Sequence, residues 1–465
     1  MCVYALVYVC KHACTRWTPR TKEKDEEAER VLHQRREAMQ DVACTIVGML
    51  PTAKLTSLDP SRRSALHHAA ASSQSRTCIA ILDRLEVGQR EGLAERPGDQ
   101  GVVGEGEGEG EGMGEDLARK LVMQRAADDA TVLHQAAARG MVLAGVGARS
   151  AGEGREQSVV HRLLDCGGKT LACMATRDGR TALHWAAAAG HEEVCGALLE
   201  VGGAELVMKQ AKDGSSALAW AAGSGLCVAA RGMLRLAGEA PALGGRRGTA
   251  VEELLKMRDK RDAATALHRA AWRAGCKAAS GTCRYSPAEV EELCVHMVEQ
   301  VRAQERESVV SALDGQRRNV LHIAAASGLA HLCRLLLPLA RANRASTLLL
   351  QQDVDGRTPL HLAAALARGA GGAAMEAVCR DMIDIGGSAL LMVTMANGRT
   401  ALHVAAERGL GALCVAMVEC AGRALLLVQG NDTRTAYNIA DTLLPDSHDG
   451  PTAKNVLLAL EEDLK

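Results

Sequence analysis

Apolar residues in this chain come in short bursts of two shapes that alternate along its length. One is a small-residue block: SALHHAA (64–70), TVLHQAA (131–137), TALHWAA (181–187), SALAWAA (216–222), TALHRAA (265–271), NVLHIAA (319–325), TPLHLAA (358–364) and TALHVAA (400–406), with a degenerate copy in TAYNIAD (435–441). The other is a stripe of apolar pairs one helical turn apart, as in EEVCGALL and GALCVAMV. Pairs at i, i+1, i+4 and i+5 put a single apolar band on a helix. The pattern therefore predicts two short helices per unit. The hydroxyl of Thr or Ser opening the block is suited to cap the first helix. Gly140, Gly190, Gly225, Gly275, Gly328 and Gly409 are placed to end it.

The spacing is regular. From the start of the block to the cysteine slot of the stripe is 14 residues at 64, 181, 216, 319 and 400, and from that slot to the next block is 21 residues after 43, 160, 195, 379 and 414. A fixed unit of 35 residues marks a solenoid of stacked repeats. Each unit closes on a turn pair: Asp178-Gly179, Asp213-Gly214, Asp314-Gly315, Asp355-Gly356 or Asn397-Gly398. Longer gaps hold insertions at 145–157, 240–248 and 275–287, and 86–115 ends in a Gly-Glu run with no means of building a core.

The expected organisation is an N-terminal charged segment and helix (1–42), a cap with the first repeat (43–85) and a flexible Gly/Glu-rich insertion (86–118). The repeat array with insertions (119–434) and a degenerate terminal repeat with C-terminal cap (435–465) follow. The first cap should turn Val42, Ile46 and Val47 inward, and the last Val456, Leu457 and Leu460.

DGRTALHWAAAAGHEEVCGALLEVGGAEL (178–206) resembles the ankyrin-repeat family, whose pattern is D-G-x-T-P-L-H-x-A-A-x-x-G-H followed by a second helix. The resemblance runs from about 43 to 465, with gaps at the insertions. There are departures: the motif proline occurs only at Pro359, Ala219 and Asn438 replace the histidine, and the unit is about two residues longer than the family's. The resemblance implies an all-α, ankyrin-type helical solenoid of stacked antiparallel helix pairs with projecting hairpin-like loops. It also implies that the motif histidines His67, His134, His184, His268, His322, His361 and His403 are structural, bonded through the ring to the neighbouring loop and the motif threonine.

Cys78, Cys195, Cys294, Cys333, Cys379 and Cys414 recur in register, with Val160 and Ala230 in the same slot elsewhere. Stacked helices lie about 8–10 Å apart. That is too far for disulfides and the wrong geometry for a tetrahedral metal site, so these thiols are expected in the core. Cys276 and Cys283, with His268 and His296 near in sequence, fit no common zinc spacing. Cys2, Cys10 and Cys14 with His12 form a second loose cluster. No catalytic residue, metal site or cofactor is expected: there is no P-loop, kinase signature or nucleophile elbow.

Composition narrows the partners. Of 465 residues 47% are apolar and only 2% aromatic, with no Phe, and 55 basic residues balance 56 acidic ones. Near-zero net charge argues against nucleic acid. CVYALVYVC (2–10) lacks a preceding basic residue and is too short to span a bilayer, and no other run is long enough. The expected protein is a monomeric, cytoplasmic or nuclear, non-catalytic scaffold or adaptor that binds other proteins. The alternative is a regulatory fragment of a larger enzyme or channel.

The residue just before the motif is Arg63, Arg180, Arg318, Arg357, Arg399 or Arg434 in six copies. Either these arginines are solvated loop tips, replaceable at little cost in stability, or they form a strip suited to an acidic partner surface. Trp185 and Trp220 follow the histidine slot in consecutive units, as packing residues or as surface anchors.

Overall fold

The computed structural model describes residues 25–94, 117–141, 158–239, 249–276, 286–342, 347–368, 372–443 and 458. The 2–10 run, the N-terminal cysteine cluster, the Gly-Glu run, the 145–157 and 240–248 insertions, Cys283, and Val456, Leu457 and Leu460 lie outside the described residues.

The chain forms two compact units, Met1–Lys212 and Asp213–Lys465. The first unit holds the first helices of repeats 1 to 3 (Ala65–Ala71, Val132–Arg139, Ala182–Ala189). The second holds those of repeats 4 to 9 (Ala217–Ser224, Ala266–Gly275, Val320–Ser327, Pro359–Leu366, Ala401–Glu407, Ala436–Leu443). Within each unit, successive first helices lie against one another, and so do the second helices behind them. The motif alanines explain how closely they can approach: Ala136 and Ala137, Ala186 and Ala187, and Ala270 and Ala271 are fully buried, leaving only a methyl group between backbones. Among the described residues there is no strand, only a bridge pairing Ala175 with Thr181, and no helix is long and apolar enough to cross a membrane.

A third helical turn per repeat was not visible in the apolar pattern. After the second helix the backbone breaks at Gly168, Gly203 and Gly387, with φ near 60° and ψ near −155°, and then makes one more turn. Only glycine adopts that region freely. The preceding glycines, Gly167, Gly202 and Gly386, leave room for Leu171, Leu206 and Leu390 of the new turn, whose side chains a Cβ would strike at about 2.5 Å. Corresponding turns are Thr52–Leu55, Leu117–Val122, Thr249–Lys256, Ala303–Val310, Thr347–Leu350 and Arg423–Leu425.

Each third turn leads into a finger loop that is hydrogen-bonded to its predecessor. In the first unit Arg177 N–H donates to Asp128 C=O (3.0 Å) and Lys212 N–H to Asp178 C=O (2.9 Å). In the second, Lys260 donates to Asp213 (2.7 Å) and Ala396 to Asp355 (2.9 Å).

Three sequence expectations need correction. Gly275 does not end its helix in a left-handed cap as Gly140, Gly190, Gly225 and Gly328 do; it is the last helical residue and makes room for Ser327, whose Oγ would lie 2.1 Å from a Cβ. Val47 of the N-terminal helix Asp25–Met49 is buried and Ile46 half-buried, but Val42 faces outward at 49% exposure; Ala43, and Leu50 just beyond the helix end, are the other buried apolar positions of its last turns. Asp314-Gly315 is out of register with the other turn pairs. Its aspartate corresponds to Asp353, and the left-handed position of that finger falls on Arg317 (φ 60°).

Candidate functional site

The seven motif histidines are buried, none more than 2% exposed, and each sits at the third position of its helix, facing back to the cap. At His134 the cap residue Thr131 donates its backbone N–H to Nδ1 (3.2 Å), and its hydroxyl lies 2.9 Å from the same nitrogen. A backbone N–H can only donate, so Nδ1 accepts and the neutral ring carries its proton on Nε2. The arrangement is a capping box with imidazole in place of the usual carboxylate or amide. Nε2 of His134, His268, His322 and His403 then donates to the carbonyl of Arg180, Arg318, Arg357 and Arg434, at 3.2–3.3 Å. Burial pushes His67, His134, His322 and His361 down to about 4 and lowers His268 and His403.

The cysteine slots are equally closed. Cys78, Cys195, Cys294, Cys333, Cys379 and Cys414 are fully buried thiols, none of them in a disulfide. Burial raises Cys195, Cys379 and Cys414 to about 12, and raises Cys294 and Cys333 as well. Such thiols stay protonated and behave as small apolar residues. Among the described residues no three His, Cys, Asp or Glu side chains are grouped to hold a metal ion.

The arginines before the motif have a backbone role that sequence inspection missed, since the carbonyls of Arg180, Arg318, Arg357 and Arg434 receive the histidines. Several of their side chains are also committed within the fold. Arg318 Nε donates to Asp314 Oδ2 (2.9 Å), and Arg357 Nε to the buried Asp353 Oδ2 (2.9 Å), with Asp355 also on the Arg357 guanidinium. Arg399 reaches Asp432 of the following finger (2.8 Å). Arg434 is exposed.

The tryptophans part company. Trp185 is half-buried, edge-on to the His134 ring at 6.2 Å. Trp220 donates its indole N–H to Ser215 Oγ (3.1 Å) and lies under the Arg269 guanidinium, 5.4 Å from the ring centroid. Arg269 in turn donates to Asp259 Oδ2 (2.7 Å) in the finger, so helix face and finger are tied together. Trp272, one turn beyond Arg269 on the same helix, is 58% exposed. Sequence reading overlooked it, although the corresponding places hold Ala71, Ala138, Ala188, Gly223, Ala326 and Ala365, with Glu407 the one other large residue among the full copies. Among the described residues it is the one aromatic among the exposed large hydrophobic side chains.

The family description of ankyrin repeats (3 copies) matches residues 148–237. No curated protein matches the chain. That match spans the second helix of repeat 2 to the second helix of repeat 4, and the same caps, histidine bonds and finger ladder recur on either side of it. The chain carries ankyrin repeats, a protein–protein interaction fold.

Proposed function

We propose that this protein is a non-catalytic scaffold or adaptor that holds partner proteins on the first-helix face of its second unit. The observation that supports this reading is Trp272. It is exposed at 58% on the helix that also carries Arg269, with exposed Arg258 and Arg261 in the adjoining finger. A rigid aromatic beside cations is the composition of an interface hot spot. The cations suit a partner segment with an apolar anchor flanked by carboxylates. This reading places the protein in the cytoplasm or nucleus, where thiols stay reduced.

Affinity purification of the wild type and of Trp272→Ala, with partners identified by mass spectrometry, tests it. The variant should lose at least one partner while keeping the wild-type melting temperature. Identical recovery from both would overturn the assignment to this face.

A further inference from the structure

The third turns of repeats 1 to 3 line an open cleft of about 570 Å³. Arg125 follows the turn of repeat 1, Lys169 opens that of repeat 2 and Cys173 and Met174 follow it, while Glu205 lies in that of repeat 3 and Lys209 just after it. Three cations thus surround one carboxylate. Glu205 is already engaged, its Oε2 2.9 Å from Lys169 Nζ. The bond to Lys169, with its charge and the more distant charge of Lys209, holds the Glu205 carboxyl below its ordinary range. Burial, ahead of the nearby Glu205 charge, raises the Cys173 thiol, so the thiol contributes a neutral wall. Arg125 and Lys209 make no ion pair with a described residue. Among the described residues the three cations of the cleft therefore outnumber its carboxylate by two.

We propose that this cleft binds a phosphate monoester dianion. A phosphoryl group carries close to two negative charges at neutral pH and three strong acceptor oxygens. Arg125 can fork across two of those oxygens while Lys209 supplies a point charge to the third. A single carboxylate would neutralise only half of the excess. The same group reaches a protein either as a free phosphorylated small molecule or as a phosphorylated side chain of a partner, and the cleft recognises what the two share. The site has no residue in common with the Trp272 face, so either can fail without the other.

The test is calorimetric titration of the full chain at low salt with three probes: O-phospho-L-serine, a phosphoserine decapeptide, and the same peptide without phosphate. The phosphorylated probes should bind and the plain peptide should not. Arg125→Gln with Lys209→Gln should weaken binding at least about tenfold, as loss of charge-assisted hydrogen bonds requires, and flatten the salt dependence. Glu205→Gln, which frees Lys169, should tighten binding severalfold. Equal affinity for the two phosphorylated probes assigns a free ligand; a peptide preference of about tenfold or more, the worth of one further charge-assisted contact, assigns a partner-borne phosphate. Failure of both phosphorylated probes to bind, or unchanged binding by the double variant with its circular dichroism intact, overturns the proposal.

Discussion

His134 Nε2 lies 3.2 Å from the carbonyl oxygen of Arg180, 46 residues further along the chain. One imidazole therefore does two jobs. Through Nδ1 it completes the cap of its own helix, and through Nε2 it pins the start of the next repeat. Both require the neutral ring with the proton on Nε2, because a protonated Nδ1 could not accept from the Thr131 backbone. The capping half of this logic holds wherever Ser or Thr fills the cap of a motif histidine, since a hydroxyl can donate to Nδ1 and still accept from the helix amide, as Thr265 does with His268.

Stability should fall as pH drops from about 6.5 toward about 4. His67, His134, His322 and His361 are held near 4 in the fold, against an unfolded value of 6.5. Between those values the unfolded chain binds more protons than the folded one, so the neutral rings contribute stability that is present above 6.5 and is lost on acidification. Each histidine is worth on the order of a few kcal/mol across that window. Urea denaturation at pH 7.5 and 5 measures it. The midpoint should drop well before the carboxylates that pair in the fold, such as Glu252 with Arg302, begin to protonate. A flat profile down to pH 5 would show that the rings are solvated.

Repeat 6 carries a frustrated version of the cap. Asn319 Oδ1 lies 2.7 Å from His322 Nδ1, yet a carbonyl oxygen cannot donate to it as a hydroxyl does. The amide is held in this orientation because Nδ2 donates to Leu348 C=O (2.9 Å) and Oδ1 accepts from His322 N–H (3.1 Å). Asn319→Thr removes the conflict, worth about 1–3 kcal/mol for a buried group, and gives up one neutral bond of about 1 kcal/mol. A net gain of about 1 kcal/mol is expected by urea denaturation. A destabilised variant would show that the bond to Leu348 outweighs the conflict.

The architecture was legible in the sequence because its causes repeat. TALHWAA returns with its cap, histidine and alanines intact, and the 35-residue period dates each copy relative to the next. The third turn was hidden because it depends on glycine pairs and a single leucine, too short a segment to show periodicity. Trp272 is not legible in the repeat pattern, which marks the slot after the histidine, where Trp185 and Trp220 stand; exposure is set by what packs behind the helix, and spacing does not reveal it. The arginines were read as a free edge because sequence displays their charge. Their buried partners, Asp314 and Asp353, lie four residues upstream and become visible only once the finger is folded.

The left-handed finger position offers a stabilising change. Gly179, Gly214, Gly356 and Gly398 fill it in four fingers, whereas Arg62, Asp129, Ala263, Arg317 and Thr433 adopt positive φ at the same place. A β-branched residue pays most there, about 1–2 kcal/mol against glycine, partly offset by the greater freedom of glycine in the unfolded chain. Thr433→Gly should therefore gain about 0.5–1 kcal/mol. Gly356→Ala should lose about 2 kcal/mol, since strain is joined by a Cβ placed 2.8 Å from Ala396 N. Thermal melts of the two variants should shift in opposite directions, and parallel shifts would refute the register.

Arg357 and Arg399 should differ in stability although both precede the motif. Arg357 pairs with Asp353, whose side chain is only 1% exposed; its Oδ1 is satisfied by the amides of Asp355 and Arg357 (2.9 and 2.8 Å), while Oδ2 relies on the guanidinium. Removing that guanidinium leaves a buried carboxylate short of a counter-charge. The usual cost of 3–5 kcal/mol is reduced because the arginine is itself more than a third exposed, so Arg357→Ala should cost about 1–2 kcal/mol. Arg399 pairs with Asp432, which is 37% exposed, and Arg399→Ala should cost under about 1 kcal/mol. The two arginines, equivalent in sequence position, are thus expected to differ in what their removal costs. Combining Arg357→Ala with Asp353→Asn should recover part of the loss, because an amide keeps the turn bonds without needing a counter-charge. Urea denaturation of the singles and the double gives the coupling directly; equal losses for Arg357→Ala and Arg399→Ala, with no recovery in the double, would show that the Asp353 pair contributes nothing.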